Sequence, residues 1–176
     1  MMGGMPDSAG HADLLLPAPL LQFPSFLLFQ LARQARRIGG AVHQDDLRMP
    51  HVTVLATIDE FGPAAQKDIS RRLRIDASDL VSLLDDLEER GLVRRQRDER
   101  DRRRYLVTIT ESGTRVLRDR LATMGRLNDI LLSVLTPTER ERFTEMLVRI
   151  YRRHEPDRVP VDLLVRQDTL SRAENR

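Results

Sequence analysis

Cysteine is absent from the 176-residue chain, which excludes disulfides, thiolate zinc sites, iron-sulfur clusters and cysteine catalysis or redox sensing. Lysine is almost absent: Lys67 stands alone beside 28 arginines. The formal charge is only +2, and the sequence pI of about 9.6 reflects how little titrates above neutrality rather than a strongly basic chain. Long apolar runs are missing too. No stretch approaches the roughly 18 residues of a membrane span. The apolar Leu14-Leu15-Leu16 follows acidic Asp7 and Asp13, has no basic start and is broken by Pro17 and Pro19, a poor secretory signal. A soluble, cytoplasmic protein without a membrane partner is expected.

Catalytic motifs are equally scarce. The four histidines (11, 43, 51, 154) are scattered, and His43 and His51 lack the i, i+4 spacing and intervening Glu of a helical zinc site. There is no phosphate-binding glycine loop, no nucleophile elbow and no nucleotide fingerprint, and Glu88-Glu89 reads as the exposed face of a helix. We expect no catalytic residue, no metal and no cofactor.

What is present is a core-forming domain, with 40% apolar residues. Residues 1–19 read as a flexible extension and 156–176 as a tail, leaving a domain at 20–155. Leu28, Leu31, Ala35, Ile38 and Val42 draw one stripe down a helix from about Leu20 to Asp45. Pro50 can open a second helix that buries Val54, Leu55, Ile58 and Phe61 and stops at Gly62-Pro63. A short third helix spans about Ala64 to Leu73, with Ile69 and Leu73 inward. A fourth, capped by Asp76 and ended by Gly91, buries Leu80, Leu83, Leu84 and Leu87. Two short helices joined by a tight turn make a helix-turn-helix.

Leu92–Gln96 and Tyr105–Ile109 read as strands around a charged hairpin tip. Thr110 then caps a helix to about Leu135 with a stripe of Leu117, Leu121, Met124, Leu131 and Leu135. Thr136-Pro137-Thr138-Glu139 has the order of a capping box, and the last helix is expected to bury Phe143, Met146, Leu147 and Ile150. The fold class is mainly α with a small β-hairpin wing: a winged helix-turn-helix at 50–110 and an α-helical dimerisation layer from 20–45 and 111–155.

Between Leu92 and Arg104 lie seven arginines (94, 95, 97, 100, 102, 103, 104) and three acids (98, 99, 101), a local surplus of four that exceeds the +2 of the whole chain. A charge run is commonly just a solvated surface. Placed directly behind a helix-turn-helix, however, an arginine-bearing hairpin can contact phosphates or enter the minor groove while the second helix occupies the major groove.

The run Gly91-Leu92-Val93-Arg94-Arg95, then Asp98-Glu99-Arg100-Asp101-Arg102-Arg103, then Ile109-Thr110-Glu111-Ser112-Gly113 resembles the signature of MarR-type winged-helix transcription regulators, over about residues 25 to 153. The resemblance implies that Arg103 inserts into the minor groove, that Asp101 orients it and that Arg102 meets a phosphate, with Arg100 and Arg104 beside them. The fourth helix departs from the family pattern. It carries Ala77, Ser82 and Asp86 where basic residues are common, together with Asp76, Asp79 and Asp85. Ala77, Ser78, Asp79 and Ser82 are expected near base edges, with Asp79 able to accept from a cytosine amine. An alternative use for so acidic a helix is a protein partner.

A homodimer is expected, because one short reading helix binds weakly and two can occupy grooves about one turn (~34 Å) apart. The resemblance further implies a small effector, often phenolic or an aromatic acid, bound between the dimer layer and the winged helix. Candidates to hold it are Arg33 and Arg37 on the first helix, His51 on the second and Arg118 on the fifth, with Phe29, Val54 and Leu55 as apolar wall. The partners expected are therefore double-stranded DNA, a second copy and an effector, in a repressor mechanism.

Overall fold

The computed structural model describes residues 16–42, 47–98 and 101–158. The chain divides into two compact units, Met1–Leu127 and Asn128–Arg176. The first begins with a 3-10 turn at Ala18–Gln22 and helix α1 at Pro24–Val42. The helix expected from Leu20 starts at Pro24 instead. Phe23, preceding proline, is held extended (φ -100°, ψ 113°). Phe23, Leu27, Leu28, Phe29 and Leu31 are exposed. The expected continuation of α1 over 43–45 lies outside the described residues.

Helix α2 spans Met49–Phe61, with Pro50 at its second position, and ends at Gly62, whose φ of 77° suits a residue without Cβ. A two-residue strand β1, Ala64–Ala65, precedes α3, Gln66–Leu73. Arg74 follows in the left-handed region (φ 53°), and the Ser70 hydroxyl donates to the Ile75 carbonyl at 2.8 Å. These close the turn. Asp76 then caps α4, Ala77–Glu89, by accepting the Ser78 N–H at 2.9 Å.

The exit from α4 is a Schellman turn. Gly91 (φ 68°) donates to the Glu88 carbonyl and Leu92 to the Leu87 carbonyl, both at 2.9 Å. Strands β2 (Val93–Arg97) and β3 (Tyr105–Ile109) follow. They pair antiparallel, with Arg95 opposite Val107 and Arg97 opposite Tyr105. β1 pairs with β3 through Ala64 opposite Val107, so the sheet order is β1-β3-β2. β1 was hidden in the sequence because two alanines carry no strand pattern.

Around this sheet the core closes on Val54, Leu55 and Ile58 of α2, Ile69 and Leu73 of α3, and Leu80, Leu83, Leu84 and Leu87 of α4, with Val93, Val107 and Leu117. Phe61 is not part of it. The expected fourth core residue of α2 is exposed and carries the Arg72 guanidinium 3.7 Å above its ring.

Helix α5, Glu111–Leu131, is joined to the strands by Thr110. Its hydroxyl donates to the Gly91 carbonyl at 2.7 Å and accepts the Gly113 N–H at 3.0 Å. Gly113 sits where no side chain fits. A Cβ there would overlap the Leu92 carbonyl oxygen and come within 2.7 Å of Ile109 Cγ1. Deeper along α5, Leu117 is buried and Arg120, also buried, donates to the Leu47 carbonyl at 2.6 Å. Leu121, expected in the buried stripe, is exposed.

In the second unit α5 gives way at Leu131 to turns, four residues before the expected end, and the residue ahead of Pro137 is again extended (Thr136 ψ 161°). Helix α6, Pro137–His154, opens with the expected capping box: the Thr136 N–H donates to Glu139 Oε2 at 2.8 Å and the Glu139 N–H to Thr136 Oγ1 at 3.4 Å. Its expected buried face is not buried. Phe143 and Leu147 are half-covered, and Met146 and Ile150 are exposed. Asp129 pairs with Arg140 at 3.0 Å.

Candidate nucleic-acid interface

The wing is a short hairpin whose tip is ordered from inside. The Arg104 N–H donates to the Asp101 carbonyl at 2.9 Å, and the Asp98 N–H to the Arg104 carbonyl at 3.0 Å. The Asp101 carboxylate accepts the Arg103 N–H at 3.0 Å. Asp101 thereby fixes the backbone of Arg103 rather than neutralising its guanidinium, an Asx-type turn. Arg102 and Arg103 are exposed, and among the described residues neither guanidinium has a partner. Arg100 lies outside the described residues.

The other wing arginines divide by role. Arg95 reaches back to α4. Its N–H donates to Glu88 Oε1 at 2.9 Å, its Nη1 meets Glu88 Oε2, and its Nη2 lies 2.6 Å from Asp85 Oδ1. Arg104 is tied to Asp68 of α3 at 3.2 Å, and Asp68 also holds Arg71 at 2.8 Å. Arg97 donates to the Tyr105 hydroxyl at 3.3 Å, and Arg94 is exposed. The local surplus read from sequence is therefore partly consumed in fastening the wing to the helices. The outward charge is concentrated at Arg94, Arg97, Arg102 and Arg103, the neutral Tyr105 hydroxyl leaving the charge of Arg97 uncompensated.

The same contacts explain the acidity of α4. Asp85 and Glu88 hold Arg95. Asp86 accepts from Arg90 Nε at 2.9 Å and lies 2.9 Å from His51 Nε2. The Arg90 hydrogen bond keeps the Asp86 carboxyl below the ordinary carboxylate range. These three acids are structural, and sequence reading missed it because their partners are on other elements or a helical turn beyond. Ala77, Ser78, Asp79, Val81 and Ser82 stay exposed on the opposite side from the buried leucines.

Beside α4 lies an open concavity of about 450 Å³, bordered by Arg48, Pro50 and His51 at the start of α2, Ile75 of the turn, and Asp79, Ser82, Leu83 and Asp86 of α4. His51 is buried within its wall. Its Nδ1 accepts the Arg48 N–H at 3.2 Å, the part a glutamate plays in a capping box, and Nε2 faces Asp86. Burial pushes the imidazole below its ordinary value, against the pull of Asp86. Of the anticipated ligand residues only His51 borders this space. Val54 and Leu55, both 0% exposed, are packed in the core and do not border it. Phe29, Arg33 and Arg37 are exposed on α1 and Arg118 on α5. Among the described residues no cluster of His, Asp or Glu could hold a metal ion, and no helix is long and apolar enough to cross a membrane.

A model described as MarR family matches residues 45–104, the stretch from α2 through the wing. The HTH-type transcriptional regulator YxaD of Bacillus subtilis (strain 168) is 35% identical over 98 residues, 55% of this chain and 68% of YxaD. The chain belongs to the MarR family. That places it among transcription regulators, not enzymes. YfiV of the same organism, another HTH-type transcriptional regulator, is 33% identical over 103 residues; the match takes in 58% of this chain and just under two thirds of YfiV, 64%. The PcaV transcriptional regulator of Streptomyces coelicolor, solved with its natural ligand, shares the fold at a TM-score of 0.63 and 24% identity, over 78% of this chain and 97% of PcaV.

Proposed function

We propose that this MarR-family chain is a cytoplasmic DNA-binding repressor that grips a roughly palindromic operator as a homodimer and is released by a small ligand. One observation carries the reading: Arg102 and Arg103 are exposed at a tip whose backbone Asp101 holds, without a partner among the described residues, while Arg95 and Arg104 anchor the same hairpin to α4 and α3. A guanidinium presented this way suits phosphate or a narrow minor groove. Arg103 enters the minor groove, Arg102 and Arg100 track the backbone, and α4 enters the adjacent major groove with Ala77, Ser78, Asp79 and Ser82 leading.

Exposed apolar residues support the dimer. Leu27, Leu28, Phe29 and Leu31 of α1 in the first unit and, separately, Met146, Ile150 and Tyr151 of α6 in the second are costly to leave in water, and each group is apolar surface for a second copy to cover. The protein-partner alternative loses ground because three of the acids on α4 are engaged internally.

The concavity beside α4 is the effector site of this reading. An aromatic acid or phenolate would place its charge on Arg48 and its ring against Pro50, Ile75 and Leu83, with His51 beneath. Because Asp79 and Ser82 border both the concavity and the groove-facing side, occupancy biases the reading helix, and affinity for DNA falls by the ligand's preference for the altered state. Arg33, Arg37, Phe29 and Arg118 contribute from the dimer layer.

The test is binding of the full chain to duplexes from upstream of its own gene, across a salt series. Saturable binding that weakens steeply with salt, by a species sedimenting as a dimer, is expected. Absence of binding at low salt would overturn the reading, and a monomer at micromolar concentration would overturn the dimer.

A further inference from the structure

The exposed side of α4 bears hydrogen-bond acceptors and methyl groups, and no free side-chain donor. Residues 77–89 contain no Arg, Lys, Asn, Gln, His or Tyr. Both serine hydroxyls have their protons engaged within the helix start: Ser78 donates to Asp76 Oδ1 at 2.6 Å and Ser82 to the Ser78 carbonyl at 3.3 Å. What each presents outward is lone pairs. Asp79 adds a carboxylate, and Ala77 and Val81 add methyl groups, Val81 being 38% exposed. Of the guanidiniums beside the helix, Arg90 is bonded to Asp86 and Arg95 to Asp85 and Glu88, and Arg48 lies at the start of α2 across the concavity.

In the major groove guanine shows two acceptors, N7 and O6. Adenine and cytosine each show an exocyclic amine, and thymine a methyl group. Acceptors facing guanine gain nothing and leave both sides unsatisfied. We infer that α4 reads its half-site through the exocyclic amines of adenine and cytosine, accepted by Ser78, Asp79 and Ser82, and through thymine methyls packed on Ala77 and Val81, without the arginine-to-guanine contact common in major-groove readers. The inference rests on the DNA-binding reading above. Charge permits it, since Arg94, Arg102 and Arg103 on the adjacent wing offset the exposed carboxylates of Asp76, Asp79 and Glu89 near phosphate.

The experiment selects binding sites for the full chain from a library of randomised duplexes, then substitutes bases in the selected duplex. Replacing every guanine by 7-deazaguanine, which lacks the N7 acceptor, should leave Kd within about twofold. Replacing a contacted adenine by purine, which lacks the N6 amine, should weaken binding about tenfold, the scale of one lost base contact. Uracil in place of thymine should weaken wild type a few-fold, and Val81→Ala, a surface change that leaves the core intact, should abolish that difference while keeping the purine effect. Tenfold loss with 7-deazaguanine, or indifference to both purine and uracil, overturns the inference. Duplexes retained without any enriched sequence overturn it too, yet leave DNA binding standing. Retention of no duplex at low salt removes both.

Discussion

His51 Nε2 lies 2.9 Å from Asp86 Oδ2, joining the first turn of α2 to the far half of α4. The imidazole is buried, and its Nδ1 already accepts the Arg48 N–H, so the proton it carries sits on Nε2 and points at the carboxylate. Burial lowers its proton affinity relative to the unfolded chain. Below about pH 6.5 the unfolded chain takes up a proton at His51 that the folded chain refuses, so stability is lost as pH falls from that value towards the lower folded-state pKa. Asp86, held below its ordinary range, contributes stability that disappears only further down, as pH falls below about 3.8. Thermal unfolding should therefore show a decline in Tm starting near pH 6.5, removed in His51→Gln, and a second at carboxylate pH that persists. A wild-type Tm that rises between about pH 6.5 and 5 would mean that the Asp86 charge outweighs burial.

Arg95 predicts a separation of stability from recognition. It is 26% exposed and is held by Glu88 and Asp85, so its guanidinium is directed at α4 rather than outward. Arg95→Ala should cost about 1 kcal/mol of folding stability, from losing a bidentate, partly shielded pair. It should also weaken DNA binding by releasing the wing, without lowering the salt slope. Denaturant unfolding and a salt series check the two halves. A slope reduced by about one counterion would show that Arg95 itself meets phosphate.

The parts of this fold legible in the sequence are those whose cause is local. Asp76, Gly91, Thr110 and the Thr136/Glu139 box act within one or two turns of the helix they bound, and each stands where the spacing put it. Periodicity likewise placed all four buried leucines of α4. It failed for Phe61, where Arg72 of the next helix covers a ring that the core does not reach, and for α6, whose apolar stripe remains uncovered within its own unit. The site was less legible for the same reason. The acids of α4 read as a repulsive face, and only the approach of His51 and Arg95, separated in sequence by 35 and 10 residues from their partners, turns them into fastenings.

Gly113 yields a prediction of stability alone. Its backbone passes so close to the Leu92 carbonyl that a methyl group must displace the Schellman turn or the start of α5. The greater helix propensity of alanine, worth about 1 kcal/mol, cannot compensate. Gly113→Ala should lose about 2 kcal/mol net, as overpacking against backbone does. Since the displaced turn leads into β2, the wing should loosen as well. An unchanged denaturation midpoint would show that α5 can shift freely.

Arg103 and Arg104 are neighbours in sequence with opposite assignments, and the pair offers the sharpest test of the wing. Arg103 is unpartnered among the described residues, its N–H fixed by Asp101, whereas Arg104 is bonded to Asp68 of α3. Arg103→Ala should remove one cationic contact, weakening binding about tenfold and flattening the salt dependence by about one counterion. Arg104→Ala should change the slope little, because its charge is already offset; its effect comes through a looser hairpin. Asp101→Asn retains a side-chain oxygen for the Arg103 N–H and should bind nearly as well as wild type. Asp101→Ala releases that turn and should approach the Arg103→Ala affinity while keeping the wild-type slope. Anisotropy titrations of the four proteins at several salt concentrations decide the matter. If Asp101→Asn were as weak as Asp101→Ala, the carboxylate charge, not the turn it holds, would be what positions Arg103.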